Sequence, residues 1–548
     1  MAHEAIRAEL ARVAAMLGAP DGVAVELETP REKSHGDIAT NLALALAKPL
    51  KAPPRKIAER IVAALKFPPG LVAGVEIAGP GFINFRLAQD QLTGALRRVI
   101  AAGRFYGRSL AEYPQRINVE FVSANPTGPL HVAHGRGAAL GDCVAELLAW
   151  QGHTVQREFY VNDAGVQVSR LGESLWARVQ QEVGRDAAIP ENGYHGQYLV
   201  DMARQLLDAN GRAFADAVAS VGIERCRTWG AAALKAQQQA DLEVLGVRFD
   251  LFFDESRIYA ERGIDRVLAA LASHGALFEE GGALWLRTSQ WGDDKDRVLR
   301  KSDGSYTYFL PDIAYHEDKA QRGFDRAIDV WGADHHGYVP RMRAAMRALG
   351  HGADFFEALI VQLVTVLRHG EEVKMSKRSG EFVSLRDLVD EVGVDAARYF
   401  FLMRRADTPF AFDVDLALSR TDENPVFYVQ MAHARMAGIF RVGGVDPATV
   451  TADSVDLDVL TDASEPELLK LLARFPETVQ RAADALEPQR ITTYAEDLSR
   501  AAHHWYHRCR VLGEAPAVER ARLALARATQ IVLANVLGLL GLTAPERM

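Results

Sequence analysis

The sequence predicts a multidomain α/β protein: a doubly wound parallel sheet carrying an insertion, preceded by a small α+β domain and followed by an all-α helical bundle. Three observations predict it. A chain of 548 residues suits about three or four domains at ~150 residues each. Between about 108 and 415, apolar strand-like runs alternate with helical stretches, the pattern of a parallel sheet with crossover helices. From about 416 to 548 helical periodicity continues with no convincing strand.

The first domain, residues 1–107, opens with helix-periodic stretches at 4–17, 38–48 and 55–66. Val75-Glu76-Ile77-Ala78 then alternates as a strand does, and the turn Gly79-Pro80-Gly81 leads into a second strand from Phe82. In the second domain, 108–415, the strand candidates are 117–122, 326–331 and 356–363. A polar, helix-rich stretch from about 168 to 275 reads as an insertion packed beside the sheet. The third domain, 416–548, is filled by helical runs such as 426–436 and 523–534.

Composition removes several function classes. With 48% hydrophobic and 25% charged residues, the chain is neither collagen-like nor disordered. A net charge of −9 excludes a polycation, so any nucleic-acid affinity comes from local basic surfaces and should fall steeply with salt. Cys143, Cys226 and Cys509 stand far apart, which fits neither a disulfide framework nor a zinc knuckle, and a reducing compartment is expected. The N-terminus lacks a secretory pattern. The most apolar runs, 358–367 and 531–542, fall short of the ~18–20 residues a membrane span needs. A cytoplasmic protein without a membrane partner is expected.

Two motifs carry chemistry. The first follows the strand candidate at 117–122, crosses a Pro/Gly loop from Ser123, and enters a helix at His131-Val132-Ala133-His134-Gly135. Free N–H groups and the dipole make a helix start a natural anion site, and two histidines three residues apart can donate to phosphate oxygens. Neither a Walker loop nor G-x-G-x-x-G is present. By itself, H-x-x-H could equally be two histidines satisfied by backbone. The second motif is Lys374-Met375-Ser376-Lys377-Arg378, which alone could be a solvated charge run. Lysines on flexible stems within a Ser/Gly loop suit phosphates that move during a reaction.

Both motifs, in this order within one α/β region, resemble the signatures of class I aminoacyl-tRNA synthetases. The surroundings resemble the arginine-specific branch of that family along essentially the whole chain. The strings that carry the resemblance are 120–131, the first domain's ending at 79–84, the stretch 302–316, the run 424–435 and the terminal 544–548. The resemblance implies a Rossmann-like catalytic domain, ATP as substrate with Mg²⁺ and without zinc, L-arginine and tRNA as partners, and a monomer.

A guanidinium carries five donors in a planar fork and stays charged, so its pocket needs carboxylates. Tyr308 and Asp312 are four residues apart and share a face if helical. The resemblance places them on the arginine side chain with Glu120, and gives Ser123, Asn125, His134 and His336 to arginine as well, Asn125 and His134 at its head group. Asp312 could otherwise be a helix cap, and Glu120 a solvated edge acid. Within Asp329-Val330-Trp331-Gly332-Ala333-Asp334-His335-His336-Gly337-Tyr338, a metal set is disfavoured because adjacent loop side chains converge poorly on one ion. Asp334 and His335 are instead assigned to ATP, with His131, Ala133, His134, Gly135, Lys374, Met375, Ser376 and Lys377. Ala133 departs from the family's usual glycine, which should loosen adenine packing. No protein residue is assigned to a metal.

The implied catalytic residues are His131 and His134 at the α- and β-phosphates and Lys374 and Lys377 at the leaving pyrophosphate, with adenylate formation dependent on bound tRNA. The first domain would touch the tRNA elbow and the bundle would read the anticodon. Aromatic and basic residues interleave there at Trp505, Tyr506, His507 and Arg508 and at Phe427, Tyr428, His433 and Arg435, although such aromatics could equally be bundle core. Rival readings are the cysteine-specific branch, which the lack of paired cysteines opposes, a small-molecule nucleotidyltransferase, and a non-catalytic tRNA-binding paralogue.

Overall fold

A computed structural model describes residues 2–20, 22–28, 30, 35–163, 165–373, 383–452 and 455–548. At its centre lies a parallel sheet of five strands: β1 (Arg116–Glu120), β2 (Thr154–Val161), β3 (Leu251–Asp254), β4 (Arg326–Gly332) and β5 (Phe356–Val361). Their order is β3-β2-β1-β4-β5. The winding reverses between β1 and β4, and in such sheets ligands collect beyond the carboxyl ends of the strands at that point. Ile117, Val119, Ala327 and Ile328 are fully buried because helices cover both faces of the sheet. Helix α1 (Val132–Trp150) connects β1 to β2 and packs so tightly that a Cβ at Gly141 would sit 2.2 Å from the Phe121 side chain.

All three strand candidates of the middle domain are strands of this sheet. The insertion is shorter than the expected 168–275. Helices Val166–Glu182, Gln197–Asn210 and Ala219–Val244 close around their own core of Leu171, Leu175, Leu199, Phe214 and Cys226. The chain then returns to the sheet as β3, where Phe252 pairs beside Phe159. Four residues are too few for periodicity to register.

The first domain also needs two corrections. Its stretch 38–48 opens as a strand, Ile38–Thr40, pairing with Ile83–Phe85, and turns helical only at Leu42–Ala45. Its own core, including Ile6, Leu10, Ile57 and Phe85, ends near Leu87. Helix Gln89–Ala102, expected to belong to it, instead sends Leu92, Leu96 and Val99 into the core shared with the bundle. Ion pairs His3–Glu477 (2.9 Å) and Asp37–Lys470 (2.8 Å) fasten the domain to the bundle.

The bundle comprises Pro425–Gly443, Ser464–Asp484, Gln489–Arg508 and Pro516–Leu539. The last is longer than the apolar run at 531–542: its 24 residues match a membrane span by length and composition, but it lies mostly buried within the bundle. Arg398, fully buried, ties bundle to sheet by donating to the carbonyls of Leu540 (2.9 Å) and Leu245 (3.2 Å) and to Asp142 (2.7 Å). Cys143, Cys226 and Cys509 are buried and free.

Candidate active site

The cleft is built where β1 ends. Glu120 closes the strand, and just past Phe121, Val122 and Ser123 take left-handed φ values of +69° and +41°. That conformation costs on the order of 1–3 kcal/mol per residue and must be held by its surroundings. Ser123 Oγ does so by donating to Glu120 Oε1 (2.8 Å) while accepting from the Tyr160 N–H (3.1 Å). The insertion grips the loop that follows. Gln238 Nε2 donates to the carbonyls of Asn125 (3.0 Å) and Gly128 (2.9 Å), and the Tyr198 hydroxyl to that of Thr127 (2.7 Å). Asn125 itself donates to Gln167 (2.8 Å).

The loop delivers His131 to the N-cap of α1, with Ala133 and His134 half-buried in the first turn. The two imidazoles stack at 3.7 Å. His134 Nδ1 accepts from the His131 N–H (3.2 Å), so in the neutral ring the proton sits on Nε2, which becomes a donor. Gly135 has a packing reason: a Cβ there would meet Leu385 at 2.5 Å and Phe401 at 3.1 Å.

Lys374, Met375, Ser376 and Lys377 lie outside the described residues. The chain just beyond them is anchored on the histidine motif. Ser384 forms an antiparallel bridge with His131, and the Leu385 N–H donates to the Leu130 carbonyl (2.8 Å).

Helix α2 (Phe309–Gln321) supplies the acidic side of the cleft. Tyr308 stands just before it, largely exposed, while Asp312 in its first turn accepts from the Tyr338 hydroxyl (2.5 Å). His316 and Lys319 follow on the same helix face as Asp312. Lys319 Nζ bridges Glu120 Oε2 (2.6 Å) and Asp329 Oδ1 (2.8 Å), and His316 joins Asp329 Oδ2 (2.7 Å) to the Asp312 carbonyl (2.7 Å). Glu120 is therefore a buried acid, not an edge-facing one.

Glu255, immediately after β3, completes the group and accepts from the Tyr259 hydroxyl (3.4 Å). Burial pushes the Asp312 carboxyl up to about 6, with Glu255 and Glu120 adding to the rise against the Tyr338 hydrogen bond and His316. Burial also raises Glu255 and Glu120. For Asp329, burial is overcome by Lys319 and His316, which hold it down to about 2. Among the described residues, Asp312 and Glu255 have no Lys or Arg ion-pair partner, so a cationic group entering there would find two uncompensated acids.

Asp334, His335 and His336 sit on the exposed turn Ala333–Tyr338 beyond the carboxyl end of β4. Among the described residues, the close pair there is His335–Asp334 at 3.5 Å, and no three ligand atoms converge around it. Among the described residues, Glu120, His316 and Asp329 alone bring three ligand atoms close enough for an ion, and the Lys319 ammonium already bridges two of them.

Glu255, Tyr160 and Tyr338 escaped the sequence reading. Tyr338 closes the Asp–His–His string and could have been found there. Glu255 follows a strand too short to mark its place. In the bundle, Trp505 and His433 are core residues, not exposed nucleotide contacts: Trp505 is fully buried, and His433 bonds the Pro545 carbonyl (2.8 Å). Tyr506, His507 and Arg508 are exposed, with the Arg435 guanidinium 5.8 Å over the Tyr506 ring and Arg508 paired to Asp462 (2.9 Å). Phe427 and Tyr428 are half-buried.

Comparison with known proteins covers the chain in three blocks. Family models match for the arginyl tRNA synthetase N terminal domain at residues 1–87, the catalytic domain of class I (R) tRNA synthetases at 96–407, and the DALR anticodon binding domain at 429–548. The arginine–tRNA ligase of Syntrophotalea carbinolica is 47% identical over 96% of this chain and 95% of its own length. That of Bacillus subtilis is 46% identical over 96% and 94%. The Thermus thermophilus arginyl-tRNA synthetase structure superposes over 100% of both chains with a TM-score of 0.81 at 24% identity, a likeness of fold.

Proposed function

The chain belongs to the arginine–tRNA ligase family of class I aminoacyl-tRNA synthetases, and from that premise we propose how its residues divide the work. The reaction is the aminoacylation of tRNA with arginine, with ATP as the activating substrate. In the first step an arginine carboxylate oxygen attacks the α-phosphorus, the bond to the bridging β-oxygen breaks, and pyrophosphate leaves. In the second a terminal ribose hydroxyl of tRNA attacks the arginyl carbonyl and AMP leaves. Little covalent work falls to the protein; position and charge carry the rate.

Asp312 and Glu255 are the counter-charges for the guanidinium, with Tyr308 closing over it and Glu120 completing the acidic wall. Burial raises the proton affinity of all three acids, and a guanidinium that donates to paired oxygens reverses that rise. The nearness of Asp312 and Glu255, two acids with no Lys or Arg partner among the described residues, is the observation that carries the assignment. Ser123, Asn125, His134 and His336 hold the amino-acid head group. His131 and His134 meet the phosphates, and the Nε2–H of His134 is suited to donate. Asp334, His335 and the first turn of α1 at Ala133 take the nucleoside.

Lys374 and Lys377, with Met375 and Ser376 between them, clamp the departing pyrophosphate. The anchoring of Ser384 and Leu385 on His131 and Leu130 supports this, because Lys377 lies seven residues upstream of Ser384, a reach of at most about 25 Å. Mg²⁺ enters with ATP, shielding the triphosphate charge; the trio Glu120, His316 and Asp329 is unsuited to hold it, since Lys319 occupies that space. The first domain contacts the tRNA elbow and the bundle the anticodon, in a cytoplasmic monomer whose buried free thiols fit a reducing compartment.

ATP–pyrophosphate exchange with each of the twenty amino acids, with and without tRNA, tests the reading. Arginine should support exchange, and tRNA should be required. Exchange driven by another amino acid, or none with arginine, overturns it.

A further inference from the structure

Beneath the acidic wall runs a continuous buried relay. It starts at Glu120 Oε2, passes through Lys319 Nζ (2.6 Å) to Asp329 Oδ1 (2.8 Å), crosses from Asp329 Oδ2 to His316 Nε2 (2.7 Å), and ends from His316 Nδ1 at the Asp312 backbone carbonyl (2.7 Å). Lys319 and Asp329 are both fully buried. His316 sets one ring nitrogen against the Asp312 carbonyl and the other against Asp329 Oδ2, so the ring ties that carboxylate to the backbone of α2. One ammonium thus stands between two buried carboxylates.

We propose that Lys319 is a positioning residue for arginine recognition: its buried ammonium fixes the Glu120 carboxylate and, through Asp329 and His316, the turn of α2 that presents Asp312. Lys319 makes no contact with arginine. It joins the two halves of the wall, one on β1 and one on α2, into a single rigid unit. A carboxylate buried without its cation would take up a proton or turn away, and either change costs the substrate a hydrogen-bond acceptor. The inference rests on the arginine assignment made above.

Lys319→Met removes the charge and keeps much of the volume. In arginine-dependent exchange with tRNA present, KM for arginine should rise at least tenfold while kcat at saturating arginine stays within threefold and KM for ATP within twofold. The acidic limb of the arginine KM profile should also move to higher pH. Glu120 is faced there by Ser123 on its own loop, Lys319, His316 and Tyr315 on α2, and Asp329 on β4, with Glu255 and Asp312 across the cleft, and Lys319→Met withdraws the nearest cation. A purely structural role for Lys319 would lower the melting temperature and leave that limb in place.

Should the single variant fail to fold, Lys319→Met with Asp329→Asn withdraws one buried carboxylate together with the ammonium and gives the same readings. A folded variant whose arginine KM and pH limb both match the parent overturns the proposal. Absence of arginine-dependent exchange in the parent enzyme would instead strike the substrate assignment.

Discussion

The Tyr338 hydroxyl donates to Asp312 Oδ2 at 2.5 Å, joining the turn after β4 to the first turn of α2. Asp312 is half-buried, yet its carboxyl is lifted by desolvation, and this hydrogen bond is the strongest influence opposing the lift. Removing it should make the acid easier to protonate and freer to rotate. Tyr338→Phe should therefore raise KM for arginine about tenfold, the scale of one charge-assisted hydrogen bond of ~1.5 kcal/mol, and shift the acidic limb of that KM to higher pH. Steady-state exchange measured from pH 5.5 to 8.5 would show both effects, and a variant with the parent's arginine KM would remove Tyr338 from the site.

Asp312 also links pH to stability. Its folded value of about 6 lies above the ordinary 3.8, so between those values the folded free enzyme keeps a proton that the unfolded chain has released. Its contribution to stability is fully present below pH ~4 and is lost as pH rises through ~6. A bound guanidinium favours the carboxylate and reverses the trend, so arginine binding should release a proton in that window. The melting-temperature rise produced by arginine should grow from pH 5 to pH 7.5, and binding heats at pH 6 should vary with the ionisation enthalpy of the buffer. A thermal shift independent of pH would refute the link.

Glu255 follows β3 and Asp312 opens α2, and each lies close enough for its charge to bear on the other, so the two acids should act on the same cation. Glu255→Gln keeps the shape and an acceptor for the Tyr259 hydroxyl but withdraws the charge. KM for arginine should rise by ten- to a hundredfold with KM for ATP unchanged. The Glu255→Gln, Asp312→Asn pair should fall short of the product of the single effects, because both report on one guanidinium. Strict multiplicativity would place the two acids on different ligands.

How much of this was legible beforehand follows from what each residue faces. The strands at 117–122, 326–331 and 356–363 announce themselves because helices bury both faces and leave short runs rich in apolar residues between helical stretches. β3 does not, since four residues carry no period, and the loss of β3 hid Glu255 with it. Ile38–Thr40 reads as part of a helix because its partner, the strand from Phe82, lies over forty residues away and pattern inspection sees only neighbours. The histidine motif was visible because a loop, a helix start and two imidazoles are local in sequence. The environment of Glu120 was not, because its cation, Lys319, comes from another element 199 residues on. Trp505 shows the same limit: its neighbours Tyr506, His507 and Arg508 are exposed, and one step around the helix turns an apparent nucleotide contact into core.

Arg398 carries much of the attachment between sheet and bundle. Its guanidinium satisfies the Leu540 and Leu245 carbonyls and the Asp142 carboxylate, all from the interior. Arg398→Met would leave Asp142 with Arg157 alone (2.9 Å) and two buried carbonyls without a donor. Loss of one partner from such a buried network costs about 3–5 kcal/mol, which should appear as a lower urea midpoint. Exchange per folded molecule at low temperature should stay near the parent's, because none of these groups lines the cleft. An unchanged midpoint would show that the bundle is held by its apolar contacts alone.

Helix Gln489–Arg508 separates packing from recognition within two adjacent residues. Trp505 is fully buried among bundle side chains, whereas Tyr506 is 40% exposed beneath the Arg435 guanidinium. Truncating a buried tryptophan costs about 3–5 kcal/mol, so Trp505→Ala should lower the unfolding midpoint sharply. Tyr506→Ala should leave that midpoint within about 0.5 kcal/mol, as surface changes do, and weaken tRNA binding instead. Stacking of a base on an exposed aromatic contributes about 1–3 kcal/mol, which corresponds to a rise of roughly five- to a hundredfold in KM for tRNA. Charging assays against tRNA concentration, paired with denaturant melts, distinguish the two residues. A Tyr506→Ala enzyme with the parent's tRNA KM would remove Tyr506 from the tRNA contact.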